Sequence, residues 1–197
     1  KITVKQALKH PIWKMGKKIS IDSATMVNKA LEIIEAKYLF NLKDNQINAV
    51  LHPQAIVHAM INYKNGVSSA VLNRPDMRIP ISTLFFKFDS FSKFNKELSF
   101  KDYSKLEFQE IDQKKFPAMK LGREVMKMGG LAPNAFNYLN ENLVKRFING
   151  DIRFLDIIHL NELNLEKIFA KNSNIMKPNL IDIKNINHFI DKNIIIN

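Results

Sequence analysis

The chain has 197 residues, of which 46% are hydrophobic and 25% are charged, a composition typical of globular domains. The absence of cysteine excludes disulfides, thiolate zinc sites and cysteine nucleophiles, and no apolar run is long enough for a transmembrane helix. The net charge of +11 admits a nucleic-acid-binding module. The basic residues are mostly lysines scattered along the chain, however, so a cleft for phosphorylated ligands explains a local cluster better.

The first 40 residues are predicted to form a basic loop followed by one long helix. His10-Pro11 and Met15-Gly16 interrupt residues 1–21, so no helix is expected there. A helix is predicted over about Ala24–Phe40, with Asp22 or Ser23 as its N-cap. Because the chain lacks an initiator Met, we expect it to be part of a longer protein.

The next segment is predicted to be a small, mostly antiparallel sheet. Its strands are expected over Ile47–Val50, Ile56–Tyr63 and Val67–Leu72. Asn65-Gly66 lies between the last two strands and is a strong signal for a hairpin turn. Pro75 ends the strand run, and a short helix could begin at Pro80.

The C-terminal half is predicted to be helical after a connector without clear periodicity, at residues 87–115. Proline and glycine mark the helix ends, and the expected helices are Pro117–Met128, Pro133–Ile148, Phe154–Lys171 and Asp182 to the end. Short connections favour a four-helix bundle-like domain. The predicted fold class is therefore α+β, with the rear part of an α/β catalytic domain (residues 1–86), the connector and a helical domain (residues 116–197).

One face of the first long helix carries a polar cluster. Glu32 lies four residues after Asn28 and three after Lys29, so the three side chains share a helix face opposite the apolar residues. Together with Ser23 near the helix start, they can hold a phosphate, and Glu32 is an oxygen ligand of the type that Mg²⁺ or Mn²⁺ prefers. The alternative is a solvated helix face with a weak Lys29–Glu32 pair.

A long sequence signature resembles the 1-deoxy-D-xylulose 5-phosphate (DXP) reductoisomerase family. It comprises Ala7-Leu8-Lys9-His10-Pro11, Trp13, Met15 through Met26, Asn28-Lys29 and Leu31-Glu32. Further matches are Leu51-His52-Pro53-Gln54, His58, Pro75-Asp76-Met77-Arg78 with Pro80, Ile152-Arg153-Phe154 and Asp156-Ile157. Two positions depart from the family pattern: Ala30 replaces a common glycine, and Tyr138-Leu139 replaces two small residues.

The resemblance implies a role for each matched site residue. The substrate-binding residues would be His10, Ser23, Asn28, Lys29 and Glu32. Glu32 would also bind the metal, which is Mg²⁺, Mn²⁺ or Co²⁺. Gly16 would lie against NADPH, while Trp13 and Met15 would form a flap over the substrate that Met77 approaches from the side.

The resemblance also implies what this chain lacks. No G-x-G-x-x-G fingerprint is present, so an NADPH domain and an Asp-Ser-Glu run with two more metal ligands would precede Lys1, and the isolated chain should be inactive. A homodimer without nucleic-acid or membrane partners is implied, in the bacterial cytoplasm or alternatively in a plastid. The rival hypotheses are a basic nucleic-acid-binding module and a structural helical adaptor.

Overall fold

A computed structural model of the chain describes residues 2–9, 15–86 and 97–196. These residues form the following elements in chain order: α1 (Val4–Ala7), α2 (Lys17–Thr25), α3 (Val27–Phe40), a 3-10 turn (Asp44–Gln46), β1 (Val57–Asn62), β2 (Ser68–Leu72), α4 (Arg78–Phe86), α5 (Pro117–Met128), α6 (Ala132–Asn149), α7 (Asp156–Lys171) and α8 (Leu180–Asn193). The predicted α+β class, with a small antiparallel sheet and a helical C-terminal part, is confirmed. In the part of the chain that the structure covers, no helix is both long and apolar enough to cross a membrane.

The chain divides into two compact units. One combines Lys1–Ala49 with Asp112–Asn197, and the other comprises Val50–Ile111. This division differs from the predicted domain boundaries because α2 and α3 pack against the C-terminal helices α5 and α6. The domain boundaries of the intact protein stay a prediction.

The core of the first unit is built around α6. This helix contacts α2, α3, α5, α7 and α8, and Phe136, Leu139 and Leu143 on it are fully buried. Leu139 therefore serves as a core residue. The α3 face predicted to be apolar is also largely buried, through Val27, Ala30, Ile33 and Ile34.

The ends of the C-terminal helices follow the signals in the sequence. Helix α5 has Pro117 in its first turn, where a missing N–H costs no helical hydrogen bond. Gly150 ends α6 with φ +87°, a conformation that side chains with a Cβ rarely adopt. Asn179 caps α8 by accepting hydrogen bonds from the backbone N–H groups of Ile181 and Asp182.

The second unit contains the predicted hairpin. β1 and β2 pair antiparallel, and Gly66 adopts φ +86° in the turn between them. The predicted strand at Ile47–Val50 is wrong. Residues 47–50 form no strand, and the neighbouring Leu51 forms an isolated antiparallel β-bridge with Gln109.

The prediction for the N-terminal segment is also wrong. Residues 1–21 were expected to form a loop, but Val4–Ala7 form α1 and residues 17–21 begin α2, because Gly16 acts as the N-cap of a helix and does not interrupt one. Asp22 and Ser23 lie inside α2 and cap no helix. The predicted single helix over Ala24–Phe40 is interrupted at Met26, which ends α2 and precedes α3.

Candidate phosphate and metal site

The site residues of the first unit lie around a sharp link between α2 and α3, here called the elbow (Thr25, Met26 and Val27). Met26 adopts φ 64° and ψ 13°, the left-handed region that costs a residue with a side chain roughly 1–2 kcal/mol. Thr25 stabilises the elbow, since its Oγ1 donates to the carbonyl of Ile21 at 3.0 Å and accepts from the N–H of Val27 at 3.4 Å. The elbow is therefore a defined structure and not a frayed helix end.

The predicted polar cluster forms in the first two turns of α3. Asn28 Nδ2 donates to Glu32 Oε1 at 2.6 Å, and Lys29 Nζ pairs with Glu32 Oε2. The side chains of Lys29 and Glu32 are 40% and 46% exposed, so both can reach a ligand from solvent. The structure thus brings together an amide, a cation and a carboxylate at the positive end of α3.

Ser23 lies on the other side of the elbow, in the last turn of α2. Its carbonyl accepts a hydrogen bond from the N–H of Met26 at 3.2 Å, and its side chain is half-buried. The sequence predicted that these residues lie at the start of one continuous helix, and this is wrong. Ser23 precedes the elbow, and Asn28 and Lys29 follow it.

Beneath the elbow, a buried carboxylate fixes α2 to α6. Asp22 is 1% exposed, and it accepts from Asn140 Nδ2 at 2.8 Å and from Lys18 Nζ at 2.6 Å. Sequence reasoning assigned Asp22 only as a possible N-cap. The spacing of four between Lys18 and Asp22 could have indicated the ion pair, but no local signal pointed to Asn140.

The other predicted site residues are dispersed or lie outside the described residues. His10 and Trp13 belong to the second group, so the structure gives no account of most of the flap. Met15 is half-buried and precedes Gly16. Gly16 is exposed, and a Cβ added to it would meet no atom within 4 Å, so open space adjoins the backbone where NADPH was expected.

Met77 belongs to the second unit and is 57% exposed. It lies between two residues that form an ion pair, because Arg78 Nε donates to Asp76 Oδ1 at 2.9 Å. This guanidinium lowers the pKa of Asp76 to about 2, so the carboxylate is charged at any physiological pH.

The two histidines of the second unit each contact a backbone carbonyl. His52 Nδ1 donates to Glu107 at 2.8 Å, and its ring stacks on Phe108. His58 Nε2 donates to the carbonyl of Asn73 at 3.1 Å. These contacts orient both rings and give the two histidines a structural role.

Among the described residues of this unit, Glu32 is the candidate ligand for a divalent cation. Glu32 offers carboxylate oxygens of the kind that Mg²⁺ and Mn²⁺ prefer, and it is exposed. Within residues 2–9, 15–86 and 97–196, no group of three or more His, Cys, Asp or Glu side chains could enclose a metal ion. The donor set fits a site in which Glu32 is one ligand and other carboxylates come from elsewhere in the protein.

Two family models match the chain. The model of the DXP reductoisomerase C-terminal domain matches residues 72–190, and a second model, the 1-deoxy-D-xylulose 5-phosphate reductoisomerase C-terminal domain, matches residues 1–40. The second match covers the elbow and the polar cluster of α3, and the first covers α4 to α7 and most of α8.

Curated relatives carry the same name. The chain is 43% identical over 169 residues to a 1-deoxy-D-xylulose 5-phosphate reductoisomerase from Ehrlichia ruminantium, covering 85% of this chain and 44% of the relative. It is 48% identical over 168 residues to that of Wolbachia from Brugia malayi, covering 84% and 42%. The chain therefore spans less than half the length of these relatives.

Solved structures agree in fold. The Zymomonas mobilis 1-deoxy-D-xylulose 5-phosphate reductoisomerase in complex with NADPH has a TM-score of 0.82 at 34% identity, covering 95% of this chain and 47% of that structure. A DOX-P reductoisomerase in complex with NADPH, fosmidomycin and magnesium has a TM-score of 0.87 at 34% identity, covering 97% and 48%.

Proposed function

The chain belongs to the DXP reductoisomerase family, and on this premise we propose that it is the C-terminal part of an enzyme that rearranges 1-deoxy-D-xylulose 5-phosphate and reduces the product with NADPH. The product would be 2-C-methyl-D-erythritol 4-phosphate, an intermediate of non-mevalonate isoprenoid biosynthesis. The observation that carries the proposal is the cluster of Asn28, Lys29 and Glu32 directly after the elbow. In a nucleic-acid-binding module or a helical adaptor, this cluster would be only a solvated helix face.

In the proposed mechanism, side chains on either side of the elbow bind the phosphate end of the substrate. Lys29 supplies a positive charge, while Asn28 and Ser23 supply neutral donors, and α3 directs its N-terminal dipole toward the same place. Phosphate contacts far from the reacting carbons supply binding energy that orients the substrate. Lys29 and Asn28 pair with Glu32 in this structure. The same N–H groups can donate hydrogen bonds to phosphate oxygens instead.

Glu32 would hold the divalent cation, and the backbone at Gly16 would lie against NADPH. When bound, the metal ion supplies charge stabilisation on the substrate oxygens and NADPH supplies the hydride. We propose that the remaining metal ligands and the NADPH domain come from a preceding part of the protein, so that residues 1–197 alone do not turn over. Helix α3 then contributes orientation, with the phosphate donors and the metal ligand one turn apart on one face.

The quaternary state and location are part of the same proposal. The hairpin exposes apolar side chains, among them Met60, Ile61 and Val71, and such a surface is of the kind that a second subunit covers. We therefore propose a homodimer formed through the sheet, located in the cytoplasm as expected for a bacterial enzyme of this family. Sedimentation analysis of the intact protein should give a dimer mass, and a monomer at micromolar concentration would contradict this part.

The experiment for the activity is a spectrophotometric assay of NADPH oxidation by the intact protein with 1-deoxy-D-xylulose 5-phosphate. Activity should require a divalent cation, and Glu32→Gln should abolish it while the fold is retained, because the amide keeps the shape but removes the charge. Glu35→Gln is the matched control, since Glu35 is an exposed carboxylate on the same helix. Full activity of Glu32→Gln at ordinary metal concentration would refute the assignment.

A further inference from the structure

Asp22 is a buried charge that the proposed chemistry does not use. Its carboxylate bridges two helices, accepting from Lys18 on its own helix and from Asn140 on α6. Asn140 is fully buried, and its Oδ1 has no hydrogen-bond partner among the described residues. Such a cluster is not explained by folding stability, because well-packed apolar residues of similar volume often stabilise a protein as much as a buried charged group does, or more.

The position of Asp22 in the chain suggests what the cluster does. Asp22 immediately precedes Ser23, and the elbow that leads to Asn28 and Lys29 begins two residues later. Helix α2 has only nine residues, so a contact at Asp22 fixes the rotation of the helix about its axis. Rotation of α2 would move the Ser23 hydroxyl relative to α3, whose own position is set by the buried side chains Val27, Ala30 and Ile33.

We propose that Asp22 is a positioning residue for phosphate recognition, acting with Asn140 and Lys18 to hold Ser23 in register with Asn28 and Lys29. This inference rests on the proposed phosphate site. The hydrogen bond to Asn140 sets the rotation of α2 against α6, and the ion pair with Lys18 orients the carboxylate. Asp22 itself contacts no substrate.

The test is Asp22→Asn in the intact enzyme. Asparagine keeps the shape of the side chain but replaces one carboxylate oxygen with an NH2 group. The side chain can then no longer accept from both Asn140 and Lys18, so the contacts that orient α2 are weakened. Two competitive inhibitors separate a positioning role from a general loss of structure, namely inorganic phosphate and the unphosphorylated sugar 1-deoxy-D-xylulose. We expect the inhibition constant of phosphate to rise roughly tenfold or more, since small misplacements in a site cost this much, while that of the sugar stays unchanged.

A second variant covers the case in which Asp22→Asn does not fold or is inactive. The double variant Asp22→Asn with Asn140→Asp restores a carboxylate–amide pair between α2 and α6 with the roles exchanged, and it should recover most of the phosphate affinity. Asn134→Ala is the matched control, because Asn134 donates to Asn187 at 2.7 Å and ties α6 to α8 instead. It should leave both inhibition constants unchanged.

Lys29→Met distinguishes failure of this inference from failure of the proposed site. The positioning role of Asp22 is wrong, while the site stands, if Lys29→Met raises the inhibition constant of phosphate and Asp22→Asn does not. The same conclusion follows if Asp22→Asn raises the inhibition constants of phosphate and of the sugar equally. If Lys29→Met leaves the phosphate constant unchanged, the phosphate site itself is wrong and this inference falls with it.

Discussion

The contact between α3 and α5 offers a direct test of the packing, because the space between Ala30 and Gly122 holds the methyl group of Ala30 and no second one. A Cβ added at Gly122 of α5 would lie 2.6 Å from the Cβ of Ala30 and 3.3 Å from its Cα. Ala30 is 1% exposed, so neither helix can relieve this clash by turning a side chain toward solvent. Gly122 therefore makes room for the methyl group of Ala30.

The magnitude of the effect of Gly122→Ala follows from two opposing terms. Overpacking a rigid interface costs about 2–3 kcal/mol, and alanine gains about 1 kcal/mol over glycine within a helix. We therefore expect a net loss of about 1–2 kcal/mol in the free energy of unfolding. Ala30→Gly alone should lose about 1 kcal/mol through helix propensity.

The two substitutions should be strongly coupled. In the double variant the methyl group moves across the interface, the clash disappears, and the two propensity terms cancel. The double variant should therefore approach wild-type stability, with an interaction energy of about 2–3 kcal/mol, the size of the relieved overpacking. Urea unfolding of the intact protein, followed by circular dichroism with m-values compared between variants, measures the cycle. Additive losses would show that Ala30 and Gly122 are not in contact and would refute this packing.

Three further outcomes are expected. Tyr138→Phe should cost about 1 kcal/mol, because Tyr138 donates to both carboxylate oxygens of Asp191 at 3.0 Å. Burial and Asp191 raise the pKa of Tyr138, so the hydroxyl's contribution to stability is complete below pH of about 10, the unfolded pKa, and is lost as pH rises through the folded pKa. The stability difference between wild type and Tyr138→Phe should thus shrink in alkali, and a pH-independent difference would contradict this. Lys37→Met should lower the free energy of unfolding in urea by about 1 kcal/mol, because Lys37 Nζ donates to the Met126 carbonyl at 2.7 Å. Lys64→Met is the control, because Lys64 is exposed near the hairpin turn.

The elements that the sequence predicted well are those whose ends carry local signals. Helix α5 begins at Pro117 and ends before Gly129, as expected from a proline in the first turn and a glycine beyond the last. The hairpin follows Asn65-Gly66 for the same kind of reason, since glycine supplies the positive φ of the turn.

The errors arose where a residue type has more than one local role, or where structure depends on contacts distant in sequence. Gly16 was interpreted as a helix breaker, although glycine also serves as an N-cap. The left-handed Met26 was not predicted, because the elbow depends on the packing of α2 and α3 against the C-terminal helices as well as on the neighbouring Thr25. The pairing of Asp22 with Asn140 joins residues 118 positions apart and has no signature in either segment.

The candidate site was predicted in part. The shared face of Asn28, Lys29 and Glu32 follows from helical spacing alone and is confirmed as a geometric cluster. The functional roles of these residues came from the resemblance and stay predictions. The separation of Ser23 from the other three by the elbow was not foreseen.

The most direct test of the account compares Lys29→Met with Lys64→Met in the intact enzyme, measured as kcat/KM for 1-deoxy-D-xylulose 5-phosphate. Both variants lose one positive charge, but only Lys29 lies in the first turn of α3 beside Asn28 and Glu32. The account predicts that Lys29→Met loses about 2 kcal/mol or more of transition-state stabilisation, because a charged hydrogen bond to phosphate is removed, and that Lys64→Met changes kcat/KM very little. Equal small losses in the two variants would show that the α3 cluster is a solvated helix face and would contradict the phosphate site.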